Sequence, residues 1–263
     1  MKSGSLFCLL GCITLSCGLE DHITPTDTCQ LAQIVSGGTT NEFTYDPAGS
    51  LTKWLITTPV SDSTTDVVQY DFTRDPAGRI SSLNQTRTFE GTSLGTATAQ
   101  FTYTNGLLTS TTTTVDPADP GTISRTFSYD SHGQMSKRVT TDKTSGFTST
   151  EIYEYDNRGN CTRYNYTDSY GTKTELLTTY DTSKNPERLL IKSIPFNLLT
   201  GIPWSVNAAL TTKDTFDYGT GAVTYTSQRT DLKTGAGGYV TSTTLTYDDG
   251  YVAKASYSLI NCQ

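Results

Sequence analysis

The sequence predicts an all-β fold: an antiparallel meander of successive hairpins forming one large curled sheet or half-open barrel, with a short irregular apolar insert. Three observations lead there. A turn motif recurs at a nearly constant period, the residues on either side of each turn alternate with period two, and no long stretch shows helical periodicity. The motif reads Tyr-Asp-x-x-Gly-x-Leu, first as Tyr45-Asp46-Pro47-Ala48-Gly49-Ser50-Leu51 and next as Arg74-Asp75-Pro76-Ala77-Gly78-Arg79-Ile80, with Arg in the Tyr place. Full or degraded copies open at Tyr103, Tyr129, Tyr155, Tyr180 and Tyr247. The openings from 45 to 180 are spaced 29, 29, 26, 26 and 25 residues apart, which suits one pair of antiparallel strands per unit.

The motif is turn chemistry. The Asp side chain accepts from backbone N–H groups further along, Pro presets φ, and Gly takes the φ > 0 position that other residues avoid. Strand-like alternation flanks it: Phe43-Thr44-Tyr45 enters the first turn and Leu51 to Thr57 leaves it, while Glu151 to Tyr155 and Cys161 to Tyr166 bracket the fifth. Tyr, Thr and Val dominate these stretches, as strands prefer. A Tyr beside each turn then reads first as packing between neighbouring hairpins.

Composition narrows the class. In 263 residues, 34% are hydrophobic and 17% charged, both low, with Thr filling much of the difference. Low charge with strong turn grammar argues against disorder, and a sheet with one wet face needs fewer apolar residues than a sandwich. The net charge of −7 and the lack of a basic stripe exclude nucleic acid as a partner.

The amino terminus reads as an address. Residues 1–16 carry one Lys and a short apolar core ending before Cys17, the pattern of a secretory signal and too short to span a bilayer. The Ser16-Cys17 site resembles a lipobox, in which the Cys is acylated and becomes the new first residue; Cys12, after Leu9-Leu10-Gly11, fits the consensus letters but leaves little apolar core. Gly18-Leu19-Glu20-Asp21 is similar to the acidic export signal of Bacteroidetes surface lipoproteins. On that reading residues 1–16 are the signal peptide, 17–28 a tether, and 29–263 a single β domain. Its partner is the membrane, held through lipid on Cys17, and the location is the outer membrane, periplasmic or surface-exposed. Cys29 and Cys262 bracket the folded region. A disulfide between them would close so long a loop that the chain-entropy model gives about 4 to 5 kcal/mol. Cys161 reads as a buried apolar residue.

The grammar breaks after Asn185-Pro186. Residues 187–210 form the most apolar mature segment and hold Pro195, Phe196, Gly201, Pro203 and Trp204, so a long helix is excluded. The segment reads as a cap over one end of the sheet, or as the wall of a pocket that Phe196 and Trp204 would line. Strand patterning resumes afterwards and ends at the hairpin Asp248-Asp249-Gly250.

The units at 45–49, 129–133 and 155–159 resemble the YD repeats of Rhs and teneurin proteins. With the Asn-Pro insert and final hairpin, nearly the whole mature chain resembles the small YD-repeat (Rhs-like) lipoproteins of Bacteroidetes. The resemblance implies a β-rich envelope lipoprotein of undetermined function; with so few repeats and no toxin domain, an Rhs toxin role is not implied.

The search for chemistry points away from an enzyme. There are two His, His22 in the tether and His132 in a turn, so a catalytic triad or His-based metal site would rest on His132 alone. No phosphate-binding loop occurs. A pair of carboxylates for glycoside hydrolysis stays open as a reading, but most carboxylates sit in turns. The expectation is a non-catalytic, monomeric binding or structural module without cofactor or metal. Its ligand would be a glycan stacked on Tyr164, Tyr166 and Tyr170 along a wet sheet face, or an apolar small molecule held in the curl beside Phe196 and Trp204.

Overall fold

The computed structural model describes residues 28–61, 64–115, 121–192, 194, 205–219 and 221–262. Sixteen strands follow one another: β1 Gln30–Ser36, β2 Thr39–Tyr45, β3 Leu51–Ser61, β4 Thr64–Arg74, β5 Ile80–Phe89, β6 Thr92–Thr104, β7 Leu107–Val115, β8 Thr122–Tyr129, β9 Met135–Asp142, β10 Thr148–Tyr155, β11 Cys161–Asp168, β12 Lys173–Lys184, β13 Asn207–Asp217, β14 Ala222–Thr234, β15 Val240–Tyr247 and β16 Val252–Ile260. Each pairs antiparallel with its sequence neighbour, and β1 pairs with β16, from Gln30 opposite Ile260 to Ser36 opposite Ala255. The sheet is therefore a closed barrel and not a half-open one. Closure leaves no row of unpaired backbone groups at an edge, and sixteen tilted strands are enough to bring the first against the last.

The repeat explains how the hairpins are held to one another. In the turn at Asp75 the carboxylate Oδ1 accepts from the N–H of Ala77 at 2.9 Å and of Arg79 at 3.0 Å. Asp130 and Asp156 do the same with residues two and four ahead. The repeat glycines Gly49, Gly78, Gly133 and Gly159 sit at φ between 76° and 84°, where a Cβ would be strained. The degraded third copy has become a two-residue Asn105-Gly106 turn, both residues at positive φ, as a tight hairpin requires.

The Tyr has a separate task. Its hydroxyl donates to a backbone carbonyl at the start of an earlier strand, past a repeat turn in every copy but the first: Tyr45 to Leu31, Tyr129 to Leu108, Tyr155 to Met135 and Tyr180 to Cys161, at 2.6 to 2.8 Å. Where Arg74 replaces Tyr, its Nη2 donates to the equivalent carbonyl of Leu51 at 3.1 Å. Where Tyr103 makes no such bond, the Arg79 guanidinium covers its ring at 4.6 Å. The residues at these exits, Leu51, Ile80, Leu108, Met135, Cys161 and Val240, are all buried. They form a dry ring at one end of the barrel. Replacing Tyr155 with Phe keeps the ring packing but removes the donor to Met135 O, so an unfolding titration should show a loss of about 1 to 3 kcal/mol, the range for orphaning a buried acceptor. An unchanged midpoint would mean that the ring alone does the packing.

The alternation of each strand sorts side chains by face. Phe43, Trp54, Tyr70, Phe72, Leu83 and Phe127 point inward and are buried. The positions between them point outward and are mostly Thr, Ser, Asn, Gln or charged, as with Thr96, Thr98, Gln100 and Thr102 on β6 and Thr122, Ser124, Thr126 and Ser128 on β8, while Leu55, Val139, Ile152 and Leu177 are apolar exceptions. Lys53, Lys137, Arg163, Lys213 and Lys254 also lie on the outward positions of their strands. Outward hydroxyls bond across strands, as Thr179 with Thr211 and Thr215 with Thr224.

The described start of the insert packs inside the end that carries the Tyr45, Tyr129, Tyr155 and Tyr180 repeat turns. Pro186–Lys192 is a 3₁₀ helix, begun by Asn185, whose Oδ1 accepts from the N–H of Glu187 at 3.0 Å. Leu189, Leu190 and Ile194 are buried in one cluster with Leu31, Trp54 and Tyr239 from the wall. The return strand is tied down by polar contacts: Asn207 N–H donates to Asn160 Oδ1 at 2.7 Å, and Cys161 N–H to Ser205 Oγ at 3.1 Å. Residues 207–210, the tail of the expected insert, are already part of β13. Cys29 and Cys262 are joined by a disulfide beside the β1–β16 seam.

Candidate functional site: the barrel lumen

The inner wall divides into a dry floor and a wet chamber. Near the repeat turns the inward residues are buried, whereas further along the same strands they are half-buried: Ile34, Thr113, Arg125, Thr140, Tyr164, Tyr166, Leu176, Asp214 and Tyr247. An inward side chain of a closed barrel can be reached by solvent only through the lumen, so this half is hollow. Sixteen strands enclose a space too wide for wall side chains to fill.

Across β7 to β11 the chamber wall carries a polar network. Arg138 Nη2 lies 2.5 Å from Glu151 Oε2, with the two side chains 11% and 4% exposed. Tyr153 OH donates to the same Oε2 at 2.7 Å, and the Tyr153 and Tyr164 rings lie 5.6 Å apart. Arg125 stands beside this pair and donates to Thr113 Oγ1 at 3.3 Å. Burial and the neighbouring Arg138 hold the Arg125 guanidinium below its usual pKa, against a smaller opposing pull from Glu151. Burial also pushes the Tyr153 and Tyr164 hydroxyls well above the ordinary phenol range.

A second polar group lies under the insert. Arg229 Nη2 donates to Asp181 Oδ2. Burial raises the Glu187 carboxyl to about 7, opposed by its hydrogen bond to Tyr257. Aromatic rings gather at the far mouth: Phe147 with Tyr170 at 5.6 Å, Phe216 with Tyr218 and Tyr225, and Tyr247 with Tyr251.

Of the residues singled out in the sequence, Tyr164 and Tyr166 both face the lumen from β11, and Tyr166 OH donates to Asp168 at 3.2 Å. Tyr170 does not join them; it lies in the β11–β12 turn at the mouth and is 75% exposed. Phe196, Trp204 and Cys17 lie outside the described residues. His132 is exposed in its turn beside Asp130. Burial pushes the Cys161 thiol up to about 12, which keeps it a thiol and unreactive. No group of metal-ligating side chains occurs among the described residues. Sequence reasoning missed Arg125, Arg138 and Glu151. A signal was there: Arg125 and Glu151 stand two residues before the inward Phe127 and Tyr153, in phase with the core face.

A porin-like protein from Bacteroides uniformis, known from its crystal structure, matches with a TM-score of 0.54 at 15% identity, over 88% of this chain and 96% of that one. The two share a fold. A porin-like protein from Bacteroides vulgatus aligns over 87% of this chain and 98% of that one, with a TM-score of 0.43 at 8% identity. No family model and no curated protein matches the sequence.

Proposed function

We propose that the protein is a non-catalytic binding barrel of the cell envelope, a YD-repeat lipoprotein anchored through Cys17 that admits a small ligand at the mouth opposite the insert. The supporting observation is the polarity of the wall: polar outside, dry and plugged at one end, hollow and lined with Tyr, Arg and Glu at the other. A barrel that crosses a bilayer instead carries a continuous apolar band on its outside. Each outward Lys or Arg near a bilayer midplane costs about 2 to 4 kcal/mol, and the described strands carry several, Lys53, Lys137, Arg163, Lys213 and Lys254 among them. The likeness to porin-like proteins therefore extends to the fold and not, on this reading, to pore formation.

A barrel of this kind sits in water and meets the membrane only through its lipid, at the outer membrane, facing the periplasm or the cell surface. Rings at the mouth and on the inner wall offer flat faces for sugar rings, and the apolar floor would suit an acyl chain, so a glycan or an apolar small molecule is the ligand class. When residues 1–17 are replaced by a conventional cleavable signal peptide, the secreted chain should be a monomer that stays soluble without detergent and gives no ion conductance in planar bilayers. Detergent-dependent extraction or discrete conductance steps would overturn the reading. Mass spectrometry of that soluble form is the direct search for a co-purifying ligand.

A further inference from the structure

We propose that Arg125 is the anchor for a carboxylate on the bound ligand, so that the chamber selects acidic over neutral molecules. This rests on the binding-barrel reading and narrows its ligand.

The argument begins with charge inside the wall. Four charged groups face the lumen on β8, β9 and β10: Arg125, Arg138, Asp142 and Glu151. Register places them as one patch, with Phe127 opposite Arg138, Arg125 opposite Thr140, and Arg138 opposite Glu151. Glu151 is already engaged, by Arg138 at 2.5 Å and by the Tyr153 hydroxyl at 2.7 Å. The nearest inward carboxylates beyond it, Asp142 and Asp168, are occupied by their own turns, accepting from Thr144 and Ser145 and from Tyr170 and Thr172. Arg125 is left with the Thr113 hydroxyl and no ion-pair partner among the described residues. With Glu151 paired to Arg138 and Asp142 bound into its own turn, Arg125 carries the lumen-facing charge on these strands that no neighbouring carboxylate matches.

A guanidinium moved out of bulk water without a counter-charge is unfavourable, and a second guanidinium beside it adds repulsion. A carboxylate reaching Arg125 relieves both, and the planar guanidinium offers two parallel donors to its two oxygens. The Tyr164 and Tyr166 rings, on the neighbouring strand to Glu151, supply flat apolar surface for the rest of the ligand. Two sources offer that chemistry: a sugar acid, whose ring would stack on the Tyr faces, and a fatty acid, whose chain would run toward the apolar floor.

The test uses the purified full chain and isothermal titration with four probes: trigalacturonate, its methyl ester, palmitate and hexadecanol. In each pair the acid should bind at least tenfold more tightly than its neutral counterpart if that pair is the source, with the difference shrinking in 0.5 M salt. Arg125→Gln should abolish the preference and leave the melting temperature within a few degrees. The acid–ester comparison on the wild-type chain needs no variant, so a misfolded variant does not end the test. Equal binding of acid and neutral probe, a preference that survives Arg125→Gln, or no binding of either acid overturns the inference. Neutral probes that bind without discrimination would sink this inference while leaving the binding barrel intact.

Discussion

Replacing both Cys29 and Cys262 with Ser should lower the stability of the barrel by about 2 to 5 kcal/mol, the usual range for loss of a native disulfide. The chain-entropy model puts so long a closure at the top of that range; the two Cys are 233 residues apart. Topology gives the bond particular leverage. Fifteen of the sixteen ladders join consecutive strands and close locally, while the β1–β16 ladder alone joins the ends of the chain. Its entropy of closure grows with the logarithm of everything between, and the disulfide meets that cost in the unfolded chain. Polar contacts beside it, Thr28 Oγ1 to Asn261 O at 2.5 Å and Asn261 Nδ2 to Gln30 Oε1 at 2.7 Å, are exposed and cannot substitute. Calorimetry should show the melting temperature falling by roughly 4 to 20 °C, from about 2 to 4 °C per kcal/mol in a domain of this size. Hydrogen exchange should speed up first at β1 and β16. Cys161→Ser is the control for thiol loss away from the seam. A double variant that melts with the wild type would show that the seam holds without its bond.

The repeat made most of the fold legible. Tyr-Asp-x-x-Gly fixes where a strand ends and the next begins, and the period-two alternation fixes which residues share a face. Closure was not legible, because it depends on the total number of strands and on a pairing between Gln30 and Ile260 that no local pattern encodes. The inward sense of each strand was legible only in part. Thr and Tyr alternate in many strands, and either face could be the wet one until the barrel closes around the aromatic side. Tyr164 and Tyr166 were recognised as a cluster for that reason without the wall they belong to. Arg125, Arg138 and Glu151 were not recognised, since a charged residue in a strand reads as solvent-facing unless its parity with a buried neighbour is weighed. The hydroxyl-to-carbonyl bond of the repeat Tyr was also hidden, as it joins residues about 20 apart; that Arg74 makes the same bond explains why Arg can stand in the Tyr place.

Arg138→Met should be the most damaging single substitution in the chamber wall, at about 3 to 5 kcal/mol, because it leaves the Glu151 carboxylate buried without its cation. The remaining Tyr153 hydroxyl supplies one hydrogen bond but no charge, and Arg125 lies two strands away on β8. Glu151→Leu alone should cost a similar amount for the converse reason. It leaves Arg138 beside Arg125 without the Glu151 carboxylate. The double variant should recover most of either loss, since a buried pair exchanged for well-packed apolar side chains is often close to neutral. A double-mutant cycle of chemical unfolding measures that coupling directly. Additive losses would mean that the two side chains act independently, and the pair could not then be what holds Glu151 away from the lumen. The same cycle bears on binding. If Arg138 serves Glu151 and Arg125 serves the ligand, the double variant should keep its preference for an acidic probe while losing the internal pair. A wall that lost both together would place the anion site on Arg138 instead, with Glu151 as the group a ligand must displace.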